Sequence, residues 1–92
     1  MFTTSRYASR KTRELAKWFS GTLMHKYFAR GKKKVSQFVE LSRKIGDERI
    51  FIIKEKNGDP VLIDVIEVYE DFKWKWTGSI GIFRTNKVFP IL

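Results

Sequence analysis

Apolar side chains recur at helical spacing in two stretches of the chain. The first stretch predicts a helix over residues 10–24, and Ser9 precedes it as a residue suited to the N-cap. The second predicts a helix over Val35–Ile45, which ends at Gly46. The apolar stripes consist of Leu15, Trp18, Phe19 and Leu23 in the first helix, and of Phe38, Leu41 and Ile45 in the second.

The remaining apolar segments have the pattern of strands. Strands are predicted over residues 1–4, 26–29, 49–55, 61–69 and 72–76. Asn57-Gly58 is the strongest hairpin signal, and it joins the third strand to the fourth. The resulting order, β-α-β-α-β-β-β, predicts an α/β (α+β) fold in which a mixed β-sheet packs against two helices. A chain of 92 residues is long enough for a single domain, residues 1–92.

The last predicted strand alternates aromatic and basic residues. Trp74 and Trp76 share one face with Phe72, while Lys73 and Lys75 share the other. We interpret the two tryptophans as core residues, because two helices must cover one face of the sheet. The alternative is a stacking platform for single-stranded nucleic acid.

The end of the chain is harder to assign. Residues 79–84 either continue the last strand past a bulge or turn back on it. Residues 85–92 are apolar with one proline and match no element. An apolar tail of this kind could be covered by a partner subunit or fold back on its own sheet.

Positive charge is concentrated at one end of the chain. The protein has a net charge of +9, and residues 1–34 hold ten basic side chains against one acid. Such a segment favours a polyanionic partner, and the alternative is a solvated surface that keeps the protein soluble. Arg10 and Lys11 stand in the first turn of a helix, where cations oppose the helix dipole. Their position suggests an anion nearby.

The sequence offers little that could support catalysis. The chain has no cysteine, and its one histidine, His25, has no acidic neighbour in sequence. We interpret His25 as a residue at the helix end that interacts favourably with the helix dipole. We expect no enzyme activity, metal or cofactor. Apolar runs are too short to span a bilayer, and Arg6 and Arg10 interrupt any signal-peptide core. We expect a cytoplasmic protein.

Four segments together resemble the Brix domain, above all its short archaeal members. These segments are Thr3-Thr4-Ser5-Arg6, Ser9-Arg10-Lys11-Thr12-Arg13, Lys26-Tyr27-Phe28-Ala29-Arg30-Gly31-Lys32 and Asn57-Gly58-Asp59-Pro60. The resemblance implies a ribosome-assembly factor that binds ribosomal RNA or a pre-ribosomal particle. It also implies one half of a two-half fold, each half being similar to an anticodon-binding domain. The second half would come from a partner or a second copy, or this half would act alone.

The residue pattern and the resemblance indicate the same RNA-binding segments. In a parallel β-α-β arrangement, the turns after the first two strands lie at one end of the sheet, where arginine and lysine can contact phosphates. Binding would then read the shape of the RNA backbone. The rival interpretations are a module that binds an acidic protein and a non-specific DNA-binding protein. The predicted RNA-binding residues are Ser5, Arg6, Arg10, Lys11, Arg13, Lys17, Arg30, Gly31, Lys32 and Lys33.

Overall fold

The computed structural model describes residues 1–82, which form two helices and four strands. The predictions for residues 83–92 lie outside the described residues. In chain order the elements are β1 (Phe2–Thr4), α1 (Arg10–Thr22), α2 (Val35–Ile45), β2 (Arg49–Lys56), β3 (Asp59–Val68) and β4 (Trp74–Gly81).

The four strands form one mixed sheet in the order β1-β2-β3-β4. The β1 strand is parallel to β2, and the other pairs are antiparallel. Asn57 and Gly58 connect β2 to β3 with φ values of 52° and 82°. Positive φ at both positions is what a two-residue type I′ hairpin requires. The mixed sheet, the two helices and the hairpin predicted from the sequence are therefore confirmed.

The predicted strand over residues 26–29 is reduced to one parallel bridge between Phe2 and Tyr27. Phe2 donates its N–H to the carbonyl of Lys26 at 2.8 Å, and its own carbonyl accepts from Phe28 at 3.0 Å. The pairing stops there because the carbonyl of Thr4 accepts a hydrogen bond from the Arg30 side chain instead. The predicted order therefore contained one strand too many.

The two helices lie on opposite faces of the sheet. Phe38 and Val39 of α2 pack in one core with Ile50, Ile52 and Ile66. Leu15 and Ala16 of α1 pack in a second core with Phe2, Ile53 and Ile63 on the other face. Neighbouring residues of a strand point to opposite faces, so β2 must be apolar on both sides. The expectation that both helices cover one face was wrong.

Trp74 and Trp76 are not core residues. They pair with Val68 and Ile66, which places them on the sheet face that α2 covers. However, β4 is the outer strand, and the two side chains are 37% and 47% exposed. No residue of β4 belongs to either core of residues 1–82, because one helix per face does not reach this strand.

The helix ends show how closely local signals determine the boundaries. The α2 helix ends as predicted, at Gly46 in the left-handed conformation (φ 76°). The α1 helix ends at Thr22, two residues early, and Met24 has a φ of 60°. Ser9 caps α1, since its hydroxyl accepts from the Thr12 N–H at 3.3 Å.

Candidate nucleic-acid interface

The loops after β1 and after the Tyr27 bridge meet at one end of the sheet. The Arg30 guanidinium donates from Nη1 to the carbonyl of Thr4 at 3.0 Å. Arg6 donates from Nη2 to the carbonyl of Lys32 at 3.2 Å. The predicted meeting of these two segments is thus confirmed, and side chains rather than a strand ladder hold them together.

A cavity of about 310 Å³ lies between the two loops. Its charged members are Arg13, Arg30 and Lys32, and Gly31 contributes backbone with a φ of 54°. The complete lining consists of Thr4, Ser5, Tyr7, Ala8, Arg13, Ala29, Arg30, Gly31 and Lys32. Among residues 1–82, three cations and no carboxylate line this space, so its chemistry suits an anion.

Arg30 is held in place on three sides. Its Nε donates to the carbonyl of Lys33 at 2.9 Å, its Nη1 donates to Thr4, and its guanidinium lies 5.7 Å from the centre of the Phe38 ring. Burial lowers the pKa of Arg30 from its ordinary value, and the charge of Arg6 lowers it further. Because the guanidinium is already ordered, contacting an anion costs it little conformational entropy.

Arg13 is anchored in a similar way. Its Nη1 donates to the carbonyl of Ala8 at 2.7 Å, which ties α1 to the loop after β1. Two oriented guanidinium groups, those of Arg13 and Arg30, therefore border one cavity. Such groups form paired hydrogen bonds with phosphate or carboxylate oxygens.

No family model and no curated protein matches the sequence. Among solved structures, the chain is similar to Mil, an archaeal Imp4-like protein, with a TM-score of 0.66 and 26% identity over 72% of this chain and 42% of that one. It is also similar to a probable ribosomal biogenesis protein from Aeropyrum pernix K1, with a TM-score of 0.82 and 27% identity over 88% of this chain and 46% of that one. The fold matches these two solved structures, which agrees with the resemblance to the Brix domain noted from the sequence. It spans less than half the length of either neighbour.

Half of the ten predicted RNA-binding residues line the cavity, namely Ser5, Arg13, Arg30, Gly31 and Lys32. Arg6 joins them through its hydrogen bond to Lys32. Lys33 is not part of the cavity lining, and its Nζ lies 5.9 Å from the centre of the Phe38 ring.

The other three predicted residues lie along α1, outside the cavity lining. Arg10 pairs with Glu14 at 3.1 Å, and Lys11 pairs with Asp59 at 2.7 Å. The Lys17 Nζ lies 5.7 Å from the centre of the Tyr27 ring. The charge pattern of the sequence predicted these cations as RNA-binding residues, but it could not show that acids of the same chain contact two of them.

The anion inferred near the start of α1 is a carboxylate of the same chain. Glu55, at the end of β2, accepts hydrogen bonds from the Ser9 N–H at 3.1 Å and from the Thr12 hydroxyl at 2.5 Å. Burial alone would raise the pKa of Glu55, but these hydrogen bonds and the charge of Arg13 outweigh it and hold the pKa below its ordinary value. The start of α1 therefore has a nearby anion, as inferred, and that anion is an acidic side chain of the same chain.

Sequence reasoning missed Tyr7 as a member of the cavity lining. Its ring stands beside the cations, and its backbone has a φ of 58°. An aromatic residue in a short polar loop, directly after Arg6 and shortly before Ser9, was the available signal.

The one histidine of the sequence lies outside the cavity lining. His25 follows the end of α1, where its backbone N–H donates to the carbonyl of Ser20 at 2.8 Å, and its ring packs edge-on against Phe2 with ring centres 5.9 Å apart. Within residues 1–82, acidic and histidine side chains form no group that could hold a metal ion. Neither helix in this part of the chain is long and apolar enough to cross a membrane.

Proposed function

We propose that this domain is a non-enzymatic RNA-binding factor in ribosome biogenesis. Its partner would be ribosomal RNA or a pre-ribosomal particle, bound at the cavity between the two basic loops. The observation that supports the proposal is the convergence of Arg13, Arg30 and Lys32 on one cavity, to which the described part of the chain contributes no carboxylate. The name of the neighbour from Aeropyrum pernix K1, a probable ribosomal biogenesis protein, supports the biological setting.

The geometry favours recognition of the RNA backbone. Ordered guanidinium groups suit phosphate oxygens, and Gly31 lets a phosphate approach the main chain closely because it has no side chain. Contacts of this kind position a nucleic acid without reading its sequence. The excess of positive charge over residues 1–34 would add long-range attraction.

The test is the salt dependence of RNA binding, measured by fluorescence anisotropy with a labelled ribosomal RNA fragment. The double variant Arg13→Gln/Lys32→Gln removes two cations from the cavity. We expect the slope of log affinity against log salt to fall by roughly 1.4 to 1.8 units, because each lost phosphate contact removes about 0.7 to 0.9. Arg30 is left intact because its hydrogen bond to Thr4 supports the fold.

A charge-matched control separates the cavity from net charge. Lys73→Gln/Lys75→Gln also removes two positive charges, but at the outer strand and the turn before it. We expect this control to keep most of the salt slope. Equal loss in both double variants would contradict the cavity as the binding site.

Competition experiments test the two rival functions. Displacement of the RNA by polyglutamate at lower concentrations than by unlabelled RNA would favour an acidic protein partner. Equal affinity for duplex DNA would favour non-specific nucleic-acid binding.

The outer strand supports a second part of the proposal, a protein partner. Within residues 1–82, β4 pairs with β3 on one side only, and both of its faces carry exposed apolar side chains. Unpaired strand edges favour strand addition. We propose that a second copy of the chain, or a separate chain that supplies the second half, adds to β4.

A further inference from the structure

Tyr7 is an exposed aromatic residue with an uncommon backbone conformation. Its side chain is 87% exposed, and its φ is 58°. The left-handed region is unfavourable for a bulky residue. Within residues 1–82, the Tyr7 side chain makes no hydrogen bond and no contact with another ring. Its own side chain therefore does not explain this backbone conformation through a polar or aromatic contact in that part of the chain.

The residues around Tyr7 are anchored, so its position is well determined. On one side, Arg6 donates to the carbonyl of Lys32. On the other side, the carbonyl of Ala8 accepts from Arg13, and Ser9 is bonded to Glu55. The loop is thus fixed before and after Tyr7, which itself belongs to the cavity lining.

The surroundings of Tyr7 indicate what its ring could contact. Arg13, Arg30 and Lys32 line the same cavity, and none of these cations lies over the Tyr7 ring. The face of the ring is therefore available beside a group of phosphate-binding side chains. A nucleotide has both parts that this arrangement fits, since an aromatic base can stack on tyrosine while the phosphate contacts arginine and lysine.

We propose that Tyr7 stacks on an unpaired base of the bound RNA. The inference rests on the proposed function and adds the class of RNA, because the bases of a duplex are stacked on each other and offer no free face. The cavity volume of about 310 Å³ is at the lower end of the roughly 300–1,000 Å³ found for ligand pockets. A space of that size suits part of a single strand rather than a groove of a helix.

The test compares a single-stranded RNA with a hairpin RNA of the same charge whose loop is a non-nucleotide linker, so that all of its bases are paired, and both are measured by fluorescence anisotropy. We expect Tyr7→Ala to weaken binding of the single strand by about 5- to 100-fold, in line with the loss of one stacked base. We expect binding of the hairpin stem and the salt slope to stay unchanged. Tyr7→Phe retains the ring and should bind within about twofold of the unmodified protein, since stacking does not need the hydroxyl.

Tyr69→Ala is the matched control, because this exposed tyrosine lies after β3 and outside the cavity lining. A second readout is the fluorescence of 2-aminopurine placed in the single strand. We expect the fluorescence to fall on binding, and we expect Tyr7→Ala to abolish that decrease. Circular dichroism should confirm that the variant remains folded.

The outcomes distinguish this inference from the proposed function. If Tyr7→Ala binds the single strand normally while Arg13→Gln/Lys32→Gln lowers the salt slope, the stacking role is wrong and the phosphate site stands. If the unmodified protein binds neither RNA, the proposed function fails and the stacking role fails with it. Equal weakening of single-strand and hairpin binding by Tyr7→Ala would also overturn the inference.

Discussion

The Glu55 carboxylate accepts a hydrogen bond from the backbone N–H of Ser9, which lies 3.2 and 3.1 Å from its two oxygens. The two residues are 46 positions apart, so this contact joins the end of β2 to the start of α1. A negative charge at this point also complements the helix dipole. The contact therefore fixes the loop from which Arg6 and Tyr7 extend, and the candidate RNA site depends on it.

The first prediction concerns the charge of Glu55. Glu55→Gln keeps the size and one acceptor oxygen but removes the charge, so we expect it to lower the free energy of unfolding by about 1–2 kcal/mol. Urea denaturation followed by circular dichroism measures the change. Glu14→Gln is the control, because Glu14 forms an exposed pair with Arg10 and should change stability by less than about 0.5 kcal/mol. Equal effects of the two changes would contradict the role given to Glu55.

A second prediction follows from the lowered pKa of Glu55. A carboxyl group with a lower pKa in the folded state stabilises the protein above its unfolded pKa, about 4.3, and that contribution disappears as pH falls through the folded value. We expect the free energy of unfolding to decrease as pH is lowered below about 4.3. The decrease should be smaller in Glu55→Gln. Urea denaturation of both proteins at a series of pH values checks this, and parallel pH curves would contradict it.

The third prediction concerns Asp64, a buried carboxylate on the outer half of the sheet. It accepts from Lys54 and from the Ser79 hydroxyl, each at 2.7 Å, and thereby links β2, β3 and β4. Burial alone would raise the pKa of Asp64, but these partners hold it below its ordinary value. We expect Asp64→Asn to lower the free energy of unfolding by about 1–3 kcal/mol, since hydrogen bonds to a charged group are lost.

Asp71→Asn provides the comparison for Asp64. Asp71 pairs with Lys73 at 3.5 Å, and both side chains are exposed. We expect a change of less than about 0.5 kcal/mol from this substitution. Urea denaturation of the two variants side by side measures the difference. A loss for Asp64→Asn no larger than that for Asp71→Asn would show that the buried pair does not stabilise the sheet.

The sequence predicted those parts of the fold that depend on local signals. Val35–Ile45 has the predicted bounds because an apolar stripe and Gly46 define it, and Asn57-Gly58 forms the predicted hairpin. The sequence predicted a strand over residues 26–29 that does not form. The Arg30 side chain donates a hydrogen bond to the carbonyl of Thr4, which is therefore not paired with the backbone of this segment. A long-range side-chain contact of that kind leaves no periodic pattern in the sequence.

The candidate site was predicted in its location and only partly in its members. Charge clustering and the parallel arrangement indicated the two loops that meet around Arg13 and Arg30. The same reasoning could not tell that Lys11 would pair with Asp59. Alternation along β4 likewise predicted that Trp74 and Trp76 share a face, but alternation does not show whether a helix covers that face.

The exposure of Trp76 leads to a fourth prediction. Trp76→Ala removes a ring that is 47% exposed and lies 5.0 Å from the Lys54 Nζ and 6.0 Å from the Trp74 ring. We expect a loss of about 1–2 kcal/mol in the free energy of unfolding, because the tilted aromatic pair and the cation–π contact are each worth about 0.5–1.5 kcal/mol. Phe38→Ala, at a fully buried ring, should cost about 3–5 kcal/mol. If urea denaturation shows the same loss in the free energy of unfolding for both variants, Trp76 is a core residue and this prediction is wrong.

The last prediction is that the chain self-associates through β4. Ile80 lies on the opposite face of β4 from Trp76, and both side chains are exposed, so a second copy added to this strand would bury apolar surface on each face. We expect a dimer in sedimentation equilibrium at micromolar concentration, and we expect Ile80→Lys to shift it to monomer because it places a charge in the contact. Leu23→Lys is the matched control, since Leu23 is as exposed as Ile80, at 53%, but follows α1. A monomer for the unmodified chain would rule out self-pairing and leave a separate second-half partner as the occupant of β4.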